Sequence, residues 1–333
     1  NLELIYAQFE GGVPLIDSLD YTYTPMGARL LRKWMVLPLK EKKPIEERLD
    51  TVEMFLKDED ILTDLSQVLK PIGDLERLVS KVAVRRISPR ELVQLKRALL
   101  QIDPIKELLG KKTHENKVLE KYINQLSDCK FLIEKITSEL RDDAPNLSNQ
   151  GGMICTGVDE ALDELHKIAF SGKDYLVDLQ NRESERTGIP SLKIAFNKVF
   201  GYYLEVSNAH KNKVPVEWIR KQTLVNAERY ITEELKIYEE KILTAESKIF
   251  EIEFKIFNDL VITASEFVAQ IQQNARVIST IDALLSFAHV AKKNKYCKPK
   301  VTEDKVIDIK DGRHPVIEQQ LPLGESYVPN DIF

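Results

Sequence analysis

Along most of the chain, apolar residues recur at spacings of three and four, and only over residues 191–231 does the period fall to two. There Leu192, Ile194 and Phe196 alternate with Lys193, Ala195 and Asn197. Beyond Gly201, Tyr202, Leu204 and Val206 alternate with Tyr203, Glu205 and Ser207. This alternation predicts a hairpin of half-buried strands. A third alternating run over residues 223–231 predicts a further strand, which makes a small antiparallel sheet of roughly the minimum size for a half-buried sheet.

The helical pattern on either side carries start and stop signals. Thr24-Pro25 predicts a helix with Thr as N-cap and Pro at its first position, carrying Leu30, Leu31, Trp34 and Met35 as far as Pro38. Pro44 opens another, with Ile45, Leu49, Val52 and Leu56 on one face. Ser88-Pro89 breaks the next stretch, and Ser88 caps the helix that bears Leu92, Leu95 and Leu99. The charged residues around that break read as solvated faces of a helical bundle. After Gly151-Gly152 a helix of about eight turns is expected, through Val158, Leu162, Leu165, Ala169, Leu176 and Leu179, stopping at Gly188 and Pro190. Beyond the sheet, Thr232 followed by Glu233 and Glu234 starts a helical run with no Gly or Pro before Pro299. At 1.5 Å per residue, about 50 helical residues reach roughly 75 Å. Its near-heptad seam calls for an antiparallel partner, and the helix before the sheet is the nearest one.

The predicted fold class is therefore mainly α, a helical body with a long antiparallel helical hairpin carrying a small antiparallel β element at its tip. The expected organisation is a helical body over 1–155, an ascending helix over 156–190, the β-rich tip over 191–232, a long descending helix over 233–298 and the start of a further domain over 299–333. Glycine and proline are sparse, 13 and 14 in 333 residues, which favours helices. Cys129, Cys155 and Cys297 are widely spaced without a C-x-x-C pair, so neither a disulfide framework nor a zinc site is indicated. Without a signal-peptide pattern or a membrane-length apolar run, a cytoplasmic protein with no membrane association is expected. The chain reads as a piece of a longer protein.

Charge changes the picture at the tip. The whole chain has a net charge of -5, yet within 191–231 Lys193, Lys198, Lys211, Lys213, Arg220, Lys221 and Arg229 outnumber Glu205, Glu217 and Glu228. Interleaved with Tyr202, Tyr203, Trp218 and the amides of Asn197, Gln222 and Asn226, they make a surface suited to phosphate oxygens, with no helix to read bases. The alternative is that the lysines only keep an exposed tip soluble and the aromatics form its small core. Catalytic chemistry is not evident. Gly110-Lys111-Lys112-Thr113 has the tail of a phosphate loop, but Ile105 stands where its first glycine belongs. The five histidines are too dispersed for a local ligand set.

Six ordered segments carry a family resemblance: 26–34, 74–78 with 88–92, 159–165, 196–203, 219–230 and 312–318, the last reading Gly312-Arg313-His314-Pro315-Val316-Ile317-Glu318. They resemble the MutS family of DNA mismatch repair proteins across essentially the full chain. The resemblance implies a lever and clamp with the entry to an ABC-type ATPase domain. It implies no catalysis by this chain itself, since the Walker motifs and the mismatch-reading Phe-x-Glu segment are not in it. In the family the clamp touches the DNA backbone without reading sequence, which puts Asn197, Lys198, Arg220, Lys221, Asn226 and Arg229 near phosphates. Tyr327 and Val328 match an aromatic-aliphatic pair that packs on the nucleotide's adenine. The full-length parent is then expected to be an ATP- and Mg-dependent homodimer that binds mismatched double-stranded DNA and recruits downstream mismatch repair factors. A coiled-coil scaffold that binds a partner protein through its seam is the competing reading, and a clampless relative acting on branched DNA is disfavoured by the intact clamp segment.

Overall fold

The computed structural model describes residues 2–333 apart from 115, 149, 150, 198, 200, 305 and 323. Among the described residues, helices α1 (Leu15–Leu19), α2 (Pro25–Val36), α3 (Lys42–Lys57), α4 (Glu59–Leu69), α5 (Leu75–Ala83), α6 (Pro89–Leu99), α7 (Ile102–Gly110), α8 (Lys117–Gln125) and α9 (Lys130–Glu139) precede the long α10 (Glu160–Thr187). Strands β1 (Lys193–Asn197), β2 (Gly201–Ser207), β3 (Ile219–Thr223) and β4 (Ala227–Ile231) follow. Then come α11 (Glu233–Glu266), α12 (Val268–Asn294), β5 (Ile309–Gly312), α13 (Pro315–Gln320) and β6 (Asn330–Ile332). The fold is mainly α, as the periodicity indicates. The chain divides into two compact units, one of Asn1–Thr137 with Leu260–Phe333 and one of Ser138–Asp259.

The first unit is organised on α12, which packs against α1 to α5 and α8. Ile271, Ala275, Ile278, Ile281, Leu284, Leu285 and Ala288 are all fully buried, so the helix is apolar on nearly every side, as a central helix must be. Its buried polar residues tie down the surrounding loops. Asn274 accepts from the Ser127 N–H and donates to the Ser127 carbonyl, both at 2.8 Å. Ser286 accepts from Tyr21 N–H and donates to the Leu19 carbonyl, also at 2.8 Å. Asp282 accepts from Tyr23 N–H, Thr24 N–H and the Thr24 hydroxyl.

The local signals operate as expected. Thr24 caps α2 by accepting from Gly27 N–H at 3.0 Å. Ser88 and Glu91 form a reciprocal capping box on α6, at 3.3 and 3.2 Å. Replacing Ser88 with Ala should therefore cost about 1 kcal/mol, read as a lowered urea midpoint at unchanged slope; an unchanged midpoint would show the cap to be idle.

The gly- and pro-free run after the sheet is not one helix. Its ladder is interrupted at Phe267, whose N–H bonds to the Ala264 carbonyl three residues back and whose ring stacks on Phe131 at 6.3 Å. Aromatic packing and one tightened turn break a helix here without a breaker residue.

In the second unit the heptad seam is consumed within the chain. Leu162, Ala169, Gly172, Leu176 and Leu179 of α10 are buried, as are Leu235, Ile242, Ala245 and Ile249 of α11. Contact is close enough at Gly172 that a Cβ there would lie 2.7 Å from Ile242 Cγ1. The seam that a scaffold would offer to a partner is thus already filled. Glu253, fully buried on α11, accepts from Gly152 N–H at 2.8 Å, next to an antiparallel bridge between Leu140 and Ile154. Gly188, with φ of 63°, ends α10 in the left-handed conformation that glycine adopts without steric cost.

The sheet has four strands in the order β1-β2-β4-β3, all antiparallel. The run over 223–231 is not a single strand, because a turn at 224–226 splits it and sends β3 back along β4. The two-residue alternation continues through that turn, so periodicity alone does not reveal it.

Candidate nucleic-acid interface

Strand parity sorts the sheet into two faces. Ile194, Tyr202, Leu204, Val206 and Tyr230 turn toward Leu176 and Leu179 of α10 and Leu235 and Ile242 of α11, forming the tip's core with Trp218. The opposite face carries a polar row across all four strands, with Lys193, Glu205, Arg229 and Gln222 in register. Arg229 ties that row together: Nε donates to Glu205 Oε2 and Nη1 to Gln222 Oε1, each at 2.9 Å, and its guanidinium lies 4.2 Å from the Tyr203 ring centroid. Half-buried and bonded on two sides, it braces the sheet.

The carboxylates of the tip are all engaged. Glu205 holds Arg229. Glu228 accepts from the Tyr230 hydroxyl and faces Arg220 at 3.4 Å; these partners hold its carboxyl below the usual range. Tyr230 moves the other way, pushed up to about 12 by burial and then by the Glu228 bond. Glu217 pairs with Arg186 of α10 at 2.9 Å and is held low by its own backbone hydrogen bond and by that arginine. Lys213 donates to the Gly188 carbonyl at 2.8 Å. Lys193, Lys211 and Lys221 are then exposed without an ion pair among the described residues. The local excess of positive charge is uncompensated from within the tip.

The anticipated residues do not gather at one point. Asn197 ends β1, where its Oδ1 accepts from Val199 N–H at 2.8 Å. Lys198 lies outside the described residues. Arg220 and Lys221 are on β3, where the register shifts between Arg220 and Gln222 and leaves Lys221 as the extra, exposed residue. Asn226 is exposed in the β3–β4 turn. Because β2 runs from Gly201, opposite Asn197, to Ser207, opposite Ala227, Asn197 and Asn226 stand at opposite ends of the sheet.

The Asn226 end has a second element that the strand pattern passes over, a 3-10 turn at Asn208–Lys213. Asn208 binds it to the β3–β4 turn: its Nδ2 donates to the Val225 carbonyl at 2.8 Å and its N–H to the Asn226 carbonyl at 3.1 Å. The run Asn-Ala-His-Lys-Asn-Lys has no large apolar residue, and that composition is the signal that could have marked it.

Neither stretch with a sequence likeness to a nucleotide contact forms a phosphate loop among the described residues. Gly110 is the last residue of α7, so the Gly-Lys-Lys-Thr stretch follows a helix rather than opening one, and the Thr113 hydroxyl donates back to the Gly110 carbonyl. Tyr327 is half-buried and Val328 exposed on the extended stretch before β6, offering stacking surface only. These residues do not fit the phosphates of ATP, and no catalytic step follows from them. No cluster of His, Cys, Asp or Glu able to hold a metal, and no helix long and apolar enough to cross a membrane, occurs among the described residues.

A paired-helix element bearing a small, cation-rich antiparallel sheet defines a mainly helical protein with a basic β tip. Residues 1–288 match the family model for MutS domain III, and the chain belongs to that family. All 333 residues align with curated proteins named DNA mismatch repair protein MutS. Identity is 61% to that of Cytophaga hutchinsonii, 58% to that of Phocaeicola vulgatus and 55% to that of Bacteroides thetaiotaomicron. The chain spans 38 to 39% of the length of these relatives.

Proposed function

We propose that this chain is the DNA-gripping portion of a mismatch repair protein, and that its tip holds duplex DNA by the phosphate backbone without reading sequence. The observation that carries this reading is the set of exposed lysines, Lys193, Lys211 and Lys221, left over after every carboxylate of the tip is engaged. Charge of this kind, flanked by the amides of Asn197 and Asn226, suits phosphate oxygens and gives salt-dependent, sequence-tolerant binding. Arg220 is 60% exposed and held by one long contact, so it is free to join them, whereas Arg229 acts by bracing the sheet. Lys198 belongs to the same set by its sequence position.

The longer protein is, in this reading, a homodimer regulated by ATP and Mg that acts in the cytoplasm, recognises mismatched double-stranded DNA and passes it to downstream repair factors. Family membership supports that placement. Tyr327 and Val328 would meet the adenine only when the phosphate-binding part of the protein is present.

The test is binding to a duplex of about 30 base pairs. Five phosphate contacts, from Lys193, Lys198, Lys211, Arg220 and Lys221, predict that affinity falls about 500-fold between roughly 50 and 200 mM salt. Changing Lys211, Arg220 and Lys221 together to Ala should flatten that dependence by nearly three in logarithmic slope. Salt-independent binding, or an unaltered slope in the triple variant, would refute the proposal.

A further inference from the structure

Helix α3 presents two apolar stripes, and only one is used. Met54 and Phe55 are buried in the first unit's core. Ile45, Leu49, Val52 and Leu56, the stripe that the sequence pattern assigns to a core face, are only half-buried and line an open cavity of about 730 Å³. Trp34 and Met35 of α2 form a second wall, and Phe287 of α12 contributes to the lining.

One cation stands in this apolar setting. Arg48 lies mid-stripe with its guanidinium 3.5 Å from the centroid of Trp34, and it makes no ion pair among the described residues. The other charged groups of the lining are satisfied: Glu53 pairs with Lys57 and with Lys298, both at 3.0 Å, and Lys298 also meets Asp50. Burial holds the Arg48 guanidinium below its ordinary pKa, against a smaller upward pull from the Tyr122 hydroxyl. A planar guanidinium with free donors is a carboxylate receptor, since two parallel N–H groups match two oxygens. The cavity's size falls within the range of sites that enclose one small molecule.

We propose that this cavity is a binding site for an amphipathic monocarboxylate, whose apolar body lies along Ile45, Leu49, Val52 and Leu56 and whose carboxylate pairs with Arg48. One uncompensated cation calls for one anionic group, and the walls call for a hydrocarbon or aromatic body. A free phosphate has no apolar body, and a nucleotide brings more negative charge than the one cation answers. The site is independent of the DNA-binding reading, as none of its residues belongs to the sheet.

Calorimetric titration of the full chain with decanoate, decanol and decylamine tests it. Decanoate should bind at least 10-fold more tightly than decanol, decylamine should bind most weakly, and saturating decanoate should raise the melting temperature. Changing Arg48 to Met should erase the preference for decanoate over decanol while decanol still binds. The comparison among ligands uses the unaltered chain, so the outcome does not depend on how that variant folds. Absence of decanoate binding, equal binding of acid and alcohol, or a preference that survives Arg48→Met would overturn the proposal. Binding of an apolar peptide bearing a carboxylate, with none of decanoate, would overturn it as well and assign the groove to a polypeptide.

Discussion

Changing Gly27 to Ala should destabilise the first unit by about 3 kcal/mol, although helix propensity alone predicts a gain of up to about 1 kcal/mol from the same change. Packing decides the sign. A Cβ on Gly27 would sit 2.1 Å from Asp282 Oδ2 and 2.7 Å from its Cγ. The carboxylate cannot swing aside cheaply, because it accepts from Tyr23 N–H at 2.9 Å, Thr24 N–H at 2.8 Å and the Thr24 hydroxyl at 2.6 Å. Hydrogen bonds to a charged group contribute about 1.5–3 kcal/mol each, so losing even two outweighs the propensity term. Urea unfolding reads the loss. In an Asp282→Ala background the space is vacated, and Gly27→Ala should become neutral or stabilising. A stabilising effect of Gly27→Ala in the unaltered chain would show that the carboxylate moves freely.

The same carboxylate gives a pH signature. Burial pushes the Asp282 carboxyl up, against the opposing pull of the Thr24 hydroxyl and the Tyr23 and Thr24 amides. The folded state therefore binds this proton more readily than the unfolded state. Stability from the protonated group is fully present below the ordinary carboxylate value and is lost as pH rises through the higher folded one. An Asp282→Asn variant removes that slope, so its deficit relative to the unaltered chain should be largest in acid and shrink toward neutral pH. A deficit that grows toward neutral pH would reverse the assigned direction.

What was legible in the sequence is what local chemistry or a regular period dictates. Thr24 and Ser88 cap helices because their hydroxyls meet backbone donors three residues on, and Gly188 ends α10 because its φ is positive. The heptad positions of α10 and α11 are buried because each helix covers the other's seam. Features fixed by tertiary contact were not legible. The stop at Phe267 depends on a ring from α9, and α12 hides Asn274 and Asp282 among apolar residues because distant loops need their hydrogen bonds. The candidate site divides along the same line. Its charge excess is countable in the sequence, but only the register reveals that Arg229 is committed to Glu205 and Gln222 and that Asn197 and Asn226 stand at opposite ends of the sheet.

At the Asn197 end, Gly201 should tolerate no side chain. Its φ of 75° costs a non-glycine residue roughly 1–2 kcal/mol, and a Cβ would lie 1.8 Å from Glu239 Oε1. Glu239 is half-buried, and burial pushes its carboxyl up against a smaller opposing pull from the Tyr202 backbone. Gly201→Ala should thus cost about 3 kcal/mol, the sum of backbone strain and a displaced carboxyl group. Because Trp218 packs on Tyr230 in the core of this sheet, the loss should show, in a Trp34→Phe background that leaves Trp218 as the only indole, as an earlier transition in tryptophan fluorescence than in helical circular dichroism. Truncating Glu239 to Ala separates the two contributions. On that background Gly201→Ala should retain only the conformational cost, about half of the original penalty. Equal penalties in the two backgrounds would mean that the hairpin does not rest on α11 through this contact, and the stiffness of the sheet at the Asn197 end would have to come from elsewhere.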